Sequence, residues 1–194
     1  MAIDRQAAAR AIETFLRAMG HEPDSSADLR ETGARVAEAW DVDLLSGYRV
    51  DVPTLLATES FPANGHDVGG VVLLRDVQIS TMCPHHLLPA MGTATVAYRP
   101  RGRLVGLGTL ARVVDAFARR LTLQERIGAD VTSALMDHLE ADGAAVALRL
   151  RHACLFARGE RQTSWVETLS IRGELGDAPT HTAMLAALTR GPRE

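Results

Sequence analysis

Val71-Val72-Leu73-Leu74-Arg75-Asp76-Val77-Gln78-Ile79, read with residues 94–99 and 104–107, decides the fold class. These runs are rich in Val, Leu and Ile, and Pro and Gly break them, so they predict three strands over 71–79, 94–99 and 104–107. Two helical patterns follow over 110–120 and 124–139, with apolar stripes through Val113, Val114, Phe117, Ile127, Val131, Leu135 and Leu139, and Gly143 closes the second. Strands return over 145–157 and 167–172, and a short helix is predicted over 180–188. Strands grouped with strands and helices with helices predict an α+β fold: an antiparallel sheet with helices on one face, not alternating βαβ units.

Upstream, Ala8, Ile12, Phe15, Leu16 and Met19 stand at helical spacing within 3–19, and Gly20 is the stop. Arg5, Arg10 and Arg17 lie on this helix, but Asp4 and Glu13 set it apart from an acid-poor transit peptide. A polar turn at Pro23-Asp24-Ser25-Ser26 leads into a second helix predicted over 27–45, which stops at Ser46-Gly47. The organisation predicted is an N-terminal helical extension over 1–48 and a catalytic domain over 49–194.

At 194 residues and 46% hydrophobic content the chain can bury a full core. No apolar run approaches a membrane span, and a net charge of −3 without a basic cluster argues against nucleic acid and membrane as partners. Every fixed positive side chain is an arginine, since the sequence contains no lysine. No secretory h-region precedes the chain, so a cytoplasmic location with reduced thiols is expected. No internal repeat, phosphate-cradling Gly loop or dinucleotide fingerprint is present.

Cys83-Pro84-His85-His86 and His152-Ala153-Cys154 hold both cysteines of the chain. A thiolate and an imidazole three positions apart, Cys83 and His86, can close on one Zn²⁺, with Cys154 as a third ligand from a distant segment. Three protein ligands leave a fourth position for water, the arrangement of a catalytic zinc. His85 and His152 are then spare imidazoles suited to proton transfer near neutrality. Two buried apolar thiols beside a chance His-His pair are the alternative, and a Cys83–Cys154 disulfide is the least favoured in a reducing compartment.

The segment Met82-Cys83-Pro84-His85-His86-Leu87-Leu88-Pro89, followed by Ala94-Thr95-Val96-Ala97-Tyr98, resembles the zinc segment of the GTP cyclohydrolase I family. Further matches keep the family's order: Glu31-Thr32 with Arg35-Val36-Ala37, Leu45-Ser46-Gly47, Val105-Gly106-Leu107, Leu110-Ala111-Arg112, Phe117-Ala118-Arg119-Arg120, Gln124-Glu125-Arg126, and His152-Ala153-Cys154 with Arg158-Gly159. The resemblance implies the T-fold, whose subunits join into a β-barrel ring, here a homo-oligomer expected to be a decamer with active sites between subunits. It implies zinc on Cys83, His86 and Cys154 and a zinc-activated water attacking C8 of a guanine-containing substrate. His152 would protonate the departing ring nitrogen, and His85 would assist proton transfer. Glu125 would accept hydrogen bonds from the guanine edge, Gln124 would help hold base or ribose, and Arg35, Arg112 and Arg158 would bind a triphosphate. The family product is dihydroneopterin triphosphate, with formate released.

The match frays at the phosphates. Gly108-Thr109 stands where the family has Ser-Lys, and Glu38 replaces a basic residue one turn after Arg35. Each lost charge-assisted contact costs roughly 1.5–3 kcal/mol. The stretch 162–168 also departs, with Trp165 either core or a stacking wall. Besides GTP cyclohydrolase chemistry, the sequence therefore admits a paralogue acting on a less phosphorylated guanine nucleoside or base such as 8-oxoguanine, or a non-catalytic zinc-containing ring protein that binds a purine. The nitrile-reducing sibling family of the same fold is disfavoured, because its signature around a nucleophilic cysteine is absent.

Overall fold

The computed structural model describes residues 3–63, 70–159 and 161–177, together with Thr182 and Ala186. Helix α1 (Arg5–Ala18) starts where Asp4 accepts a hydrogen bond from the Ala7 N–H at 2.9 Å, a side-chain cap on an orphan donor. Helix α2 (Thr32–Ala39) packs along α1 and begins later than the predicted 27. The Leu29 and Arg30 amides donate to Ser26 O, so the preceding residues are wound into turns. The helix continues as one wide π turn over Trp40–Leu44 and then a 3₁₀ turn over Ser46–Arg49. Gly47 is required there: a Cβ would meet Ala116 O at 2.2 Å.

Helix α3 (Val52–Glu59), which periodicity does not announce, is capped by Asp51 and followed at once by β1 (Ser60–Pro62). The long strands β2 (Val72–Met82) and β3 (Pro89–Arg99) come next, then β4 (Arg103–Val105). The strand predicted over 104–107 is thus shorter and lies outside the main sheet, because β4 pairs antiparallel with β1. Helices α4 (Leu107–Ala118) and α5 (Gln124–His138) follow, and then β5 (Gly143–His152). The strand predicted to run on to 157 ends at His152, where Ala153–Phe156 form the short helix α6. Strand β6 (Val166–Gly173) ends the sheet. Except for Thr182 and Ala186, both helical, the C-terminal helix predicted over 180–188 lies outside the described residues.

The main sheet is four-stranded, antiparallel throughout and ordered β2-β3-β5-β6. Alternate residues point to one face: Ala94, Val96 and Tyr98 on β3, and Val146, Leu148 and Leu150 on β5. They pack against Leu110, Val113 and Val114 of α4 and Ile127, Val131 and Leu135 of α5, all buried. Each such side chain contributes roughly 1.5–3 kcal/mol on burial, so this interface dominates the stability of the fold. A bulge in β2 between Leu74 and Val77, with Asp76 at φ 56°, keeps both ends of the strand in register. An antiparallel sheet with two helices on one face is the T-fold arrangement expected from the sequence. The opposite face holds a small cluster of Ala97, Ala145 and Leu175, and farther along β5 Arg149 and Arg151 project from it. Among the described residues no helix is long and apolar enough to cross a membrane.

Candidate active site

The turn between β2 and β3 is closed by its own backbone. Cys83 N–H donates to Leu88 O at 3.0 Å, Leu87 N–H donates to Cys83 O at 2.9 Å, and Leu87 adopts φ 52°. Pro84, His85 and His86 are thereby exposed at the tip, while Cys83 is half-buried at the base. The β3–β5 register pairs Ala90 with His152, so the end of β5 lies beside this turn. The chain then winds into α6, which carries Cys154, also half-buried. Neither cysteine forms a disulfide.

A third segment reaches the same end of the sheet. Met82 bridges Leu121, and the Thr122 N–H donates to Met82 O at 3.2 Å, which sets the first turn of α5 against the base of the turn. Gln124, the first residue of that helix, is only 2% exposed. Its Nε2 donates to Leu148 O at 3.2 Å, Val166 O at 3.0 Å and Thr168 Oγ1 at 3.2 Å. That network makes Gln124 Oε1 the acceptor toward His152 Nε2, 2.8 Å away. Nε2 of His152 therefore carries the proton, and Nδ1 is its basic nitrogen. Burial lowers the His152 pKa below its ordinary value, and the nearby Glu125 carboxylate opposes the shift. The imidazole is neutral at pH 7 and fixed in one tautomer.

Glu125 lines a cleft of about 270 Å³ with Gly128, Thr168, Leu169 and Ser170, between α5 and the edge strand β6. A second cleft of about 270 Å³ runs between α1 and α2, where Ile12, Val36 and Trp40 approach Leu87 of the turn. Helix α2, which carries Arg35, therefore borders the turn as well.

The donors fit a zinc ion in kind, as two thiols and an imidazole. Arg158 Nη1 donates to His86 Nε2 at 2.8 Å, so that nitrogen presents the lone pair a metal would use. The side chains are not closed on one point: among the described residues no three His, Cys, Asp or Glu groups are arranged to hold a metal ion. The His85 and His86 rings stand edge to face, 6.5 Å apart.

The sequence-predicted residues divide sharply. Cys83, His85, His86, Gln124, Glu125, His152, Cys154 and Arg158 gather at one end of the sheet. Arg112 does not: it belongs to the first turns of α4, which starts beyond β4 at the other end. There Arg112 Nη1 donates to both oxygens of Glu59, at 2.7 and 2.9 Å, and Thr109 Oγ1 donates to Glu59 Oε2 at 2.6 Å. Sequence reasoning missed Glu59 altogether. Arg35 pairs with Glu31 of its own helix at 2.6 Å. Trp165 is 46% exposed, and the guanidinium groups of Arg149 and Arg151 lie 4.6 and 5.8 Å from its ring. It is therefore stacked on cations and not buried in the core.

Known proteins resemble the chain over most of its length. The family model described as GTP cyclohydrolase I matches residues 8–190. A protein named GTP cyclohydrolase 1 from Synechococcus sp. (strain JA-2-3B'a(2-13)) is 40% identical over 183 residues, covering 94% of this chain and 78% of the relative. Proteins of the same name from Leptospira biflexa and Corynebacterium glutamicum are each 37% identical, covering 92% and 97% of this chain and 96% and 94% of their own. Among solved structures, an archaeosine synthase QueF-like protein in the apo form aligns with a TM-score of 0.45 at 18% identity, over 53% of this chain and 93% of that one.

Proposed function

Because the chain belongs to the GTP cyclohydrolase I family, we propose that it opens the imidazole ring of a guanine substrate by hydrolysis at C8. The observation that carries the proposal is the half-buried Gln124–His152 hydrogen bond of 2.8 Å, held between the segments of Cys83 and Cys154 and next to Glu125. Cys83, His86 and Cys154 would hold Zn²⁺, and zinc bound there would supply the Lewis acidity that activates water. Water is added across both C–N bonds of C8, which leaves as formate. His152, neutral and held in one tautomer, would take a proton at Nδ1 from the adding water and pass it to the ring nitrogen that departs, while His85 on the exposed turn would assist proton transfer to or from the hydrated intermediate.

Glu125 accepts from the guanine amino and ring N–H groups, a task for a carboxylate at the mouth of a cleft. Gln124 serves as a positioning residue for His152, since its amide is already engaged by strand carbonyls. Among the described residues β2 and β6 are the edges of the sheet, which supports edge pairing with other copies of the chain into a ring, a decamer in our reading, with sites between subunits.

The deciding experiment incubates the zinc-loaded protein with GTP, GMP, guanosine, guanine and 8-oxoguanine, following formate release and ultraviolet spectra. Ring opening of at least one substrate is expected. No formate from the four substrates that carry a C8–H, together with no ring opening of 8-oxoguanine, whose C8 would leave as carbon dioxide, would refute the reading.

A further inference from the structure

The face of the sheet opposite α4 and α5 carries two guanidiniums that the fold holds in place without neutralising both. Arg149 and Arg151 stand two positions apart on β5, a spacing that points them to the same face, roughly 7 Å apart along the strand. Leu148 and Leu150, which alternate with them, belong to the core against the helices, so the arginines lie on the other side. Their registered neighbours on β3, Thr93 and Met91, carry no charge. On β6 Glu167 lies opposite Arg149, and its Oε1 is 3.2 Å from Arg149 Nε. The β5–β6 ladder ends at the Leu150–Val166 pair, so the next residue, Trp165, stands where a carboxylate could have met Arg151.

Aromatic rings fix both groups. The Arg149 guanidinium lies 4.6 Å from the Trp165 ring, and that of Arg151 lies 5.8 Å from the same ring and 5.3 Å from the Phe156 ring on α6. Nε of each arginine is buried without a hydrogen-bond partner, which is uncommon in a folded chain. The Arg149–Glu167 approach is thus a charge contact without hydrogen-bond alignment. Among the described residues no ion pair or hydrogen bond engages the Arg151 side chain. A cation–π contact orients a guanidinium without cancelling its charge. Two guanidiniums against one carboxylate leave one positive charge beside a tryptophan that is 46% exposed. Planar forks already held in orientation bind an oxyanion through paired N–H donors and give up little side-chain freedom in doing so.

We propose that Arg149, Arg151 and Trp165 form a binding site for a small oxyanion, a phosphate or carboxylate group, on the face of the sheet opposite α4 and α5. The anion bridges the two guanidiniums, and the exposed part of the Trp165 ring is its wall. Glu167 competes for Arg149, so Arg151 supplies the main attraction. The site is separate from the reacting groups although it shares a strand with them: Arg151 and His152 are consecutive on β5, and consecutive strand residues face opposite sides. Occupying it requires no turnover, so its test stands apart from the ring-opening reading.

The test uses the zinc-loaded full chain carrying Trp40→Phe, which leaves Trp165 as the one remaining tryptophan. It is titrated with sodium phosphate and separately with sodium formate, at an ionic strength held constant with sodium chloride. Trp165 emission should change along a saturating curve with at least one of the two anions, with a Kd on the order of a millimolar. The anion that saturates identifies the group as phosphate or carboxylate. Arg151→Gln should weaken that binding at least about tenfold, and Glu167→Gln should tighten it by roughly two- to fivefold. Arg101→Gln removes the same charge from the other end of the sheet and should leave binding unchanged. No saturable change with either anion overturns the proposal, as does unchanged binding in Arg151→Gln or equal weakening in Arg101→Gln. Thermal melting checks each variant for fold. If Arg151→Gln does not fold, Arg149→Gln is judged by the same criterion, and if Trp40→Phe does not fold, calorimetry on the chain with Trp40 retained decides.

Discussion

The two ends of the sheet treat their polar groups in opposite ways. At the Cys83 end, two thiols and three histidines are gathered on strand termini and short turns, and the half-buried His152 imidazole is held by a neutral amide. At the Arg112 end, cation, hydroxyl and carboxylate satisfy one another within the chain. Proton-transfer chemistry needs groups held in one orientation, and the Gln124 amide holds the His152 ring without adding a charge to it. Electrostatic binding of a ligand needs charges that the fold has not already compensated. By that criterion the first end keeps its polar groups available, whereas the second has compensated its own charges.

The largest effect that could break this contrast is loss of the metal. Wild-type protein is expected to carry about one zinc per chain, and Cys154→Ser should release it and abolish turnover. Elemental analysis of the purified variant is the check, and full zinc with full activity would remove the Cys83 end from the mechanism. Next in size is His152→Ala, which should keep its zinc and lose roughly 10² to 10⁴ in rate, the range for a removed general acid. Unchanged turnover on a confirmed substrate would exclude proton transfer through this ring.

Gln124→Ala sharpens the comparison at intermediate size. It removes the partner of His152 Nε2 and three donor contacts to Leu148, Val166 and Thr168. Zinc should remain while kcat falls roughly 10- to 100-fold, the scale seen when a supporting hydrogen bond to a site residue is lost. The pH–rate profile should shift as well, because the ring is no longer confined to one tautomer. A thermal loss with an unmoved pH profile would make Gln124 purely structural.

Much of the Cys83 end was legible in the sequence because its information is local. Cys83, His85 and His86 share one turn, His152 and Cys154 share another, and helix α5 begins at Gln124 as its stripe implies. The errors arose where length or partner was nonlocal. Ser60–Pro62 is too short to show alternation, and Glu59 finds Thr109 fifty positions away, so neither the ribbon nor its carboxylate had a periodic signature. Strand β5 was read too long because Ala153, Leu155 and Phe156 continue its apolar character without Gly or Pro. Helix α2 was begun too early because Ser25-Ser26 resembles a cap, although the chain makes further turns before Thr32. Gln124 was visible as a polar residue at a helix start, but nothing local announced that its amide would bridge two strands.

The smallest expected effect isolates the Arg112 end through acid titration. Contacts to Thr109 first, and to Arg112 second, hold the Glu59 carboxyl below its ordinary value near 4.5. A depressed carboxyl binds its proton more weakly in the folded chain than in the unfolded one. Its stabilising contribution is therefore complete above the ordinary carboxylate range and disappears as pH falls through the depressed native value. Glu59→Gln keeps the shape and removes the titration. The difference in Tm between wild type and variant should be constant from pH 7 down to about 5 and should shrink below about 4.5. Solvent around Glu59 and Arg112 keeps the difference small, and 1 M salt should reduce it further. A gap that persists unchanged into acid would mean that Glu59 acts by packing alone, and the two ends of the sheet would then not differ in how they compensate charge.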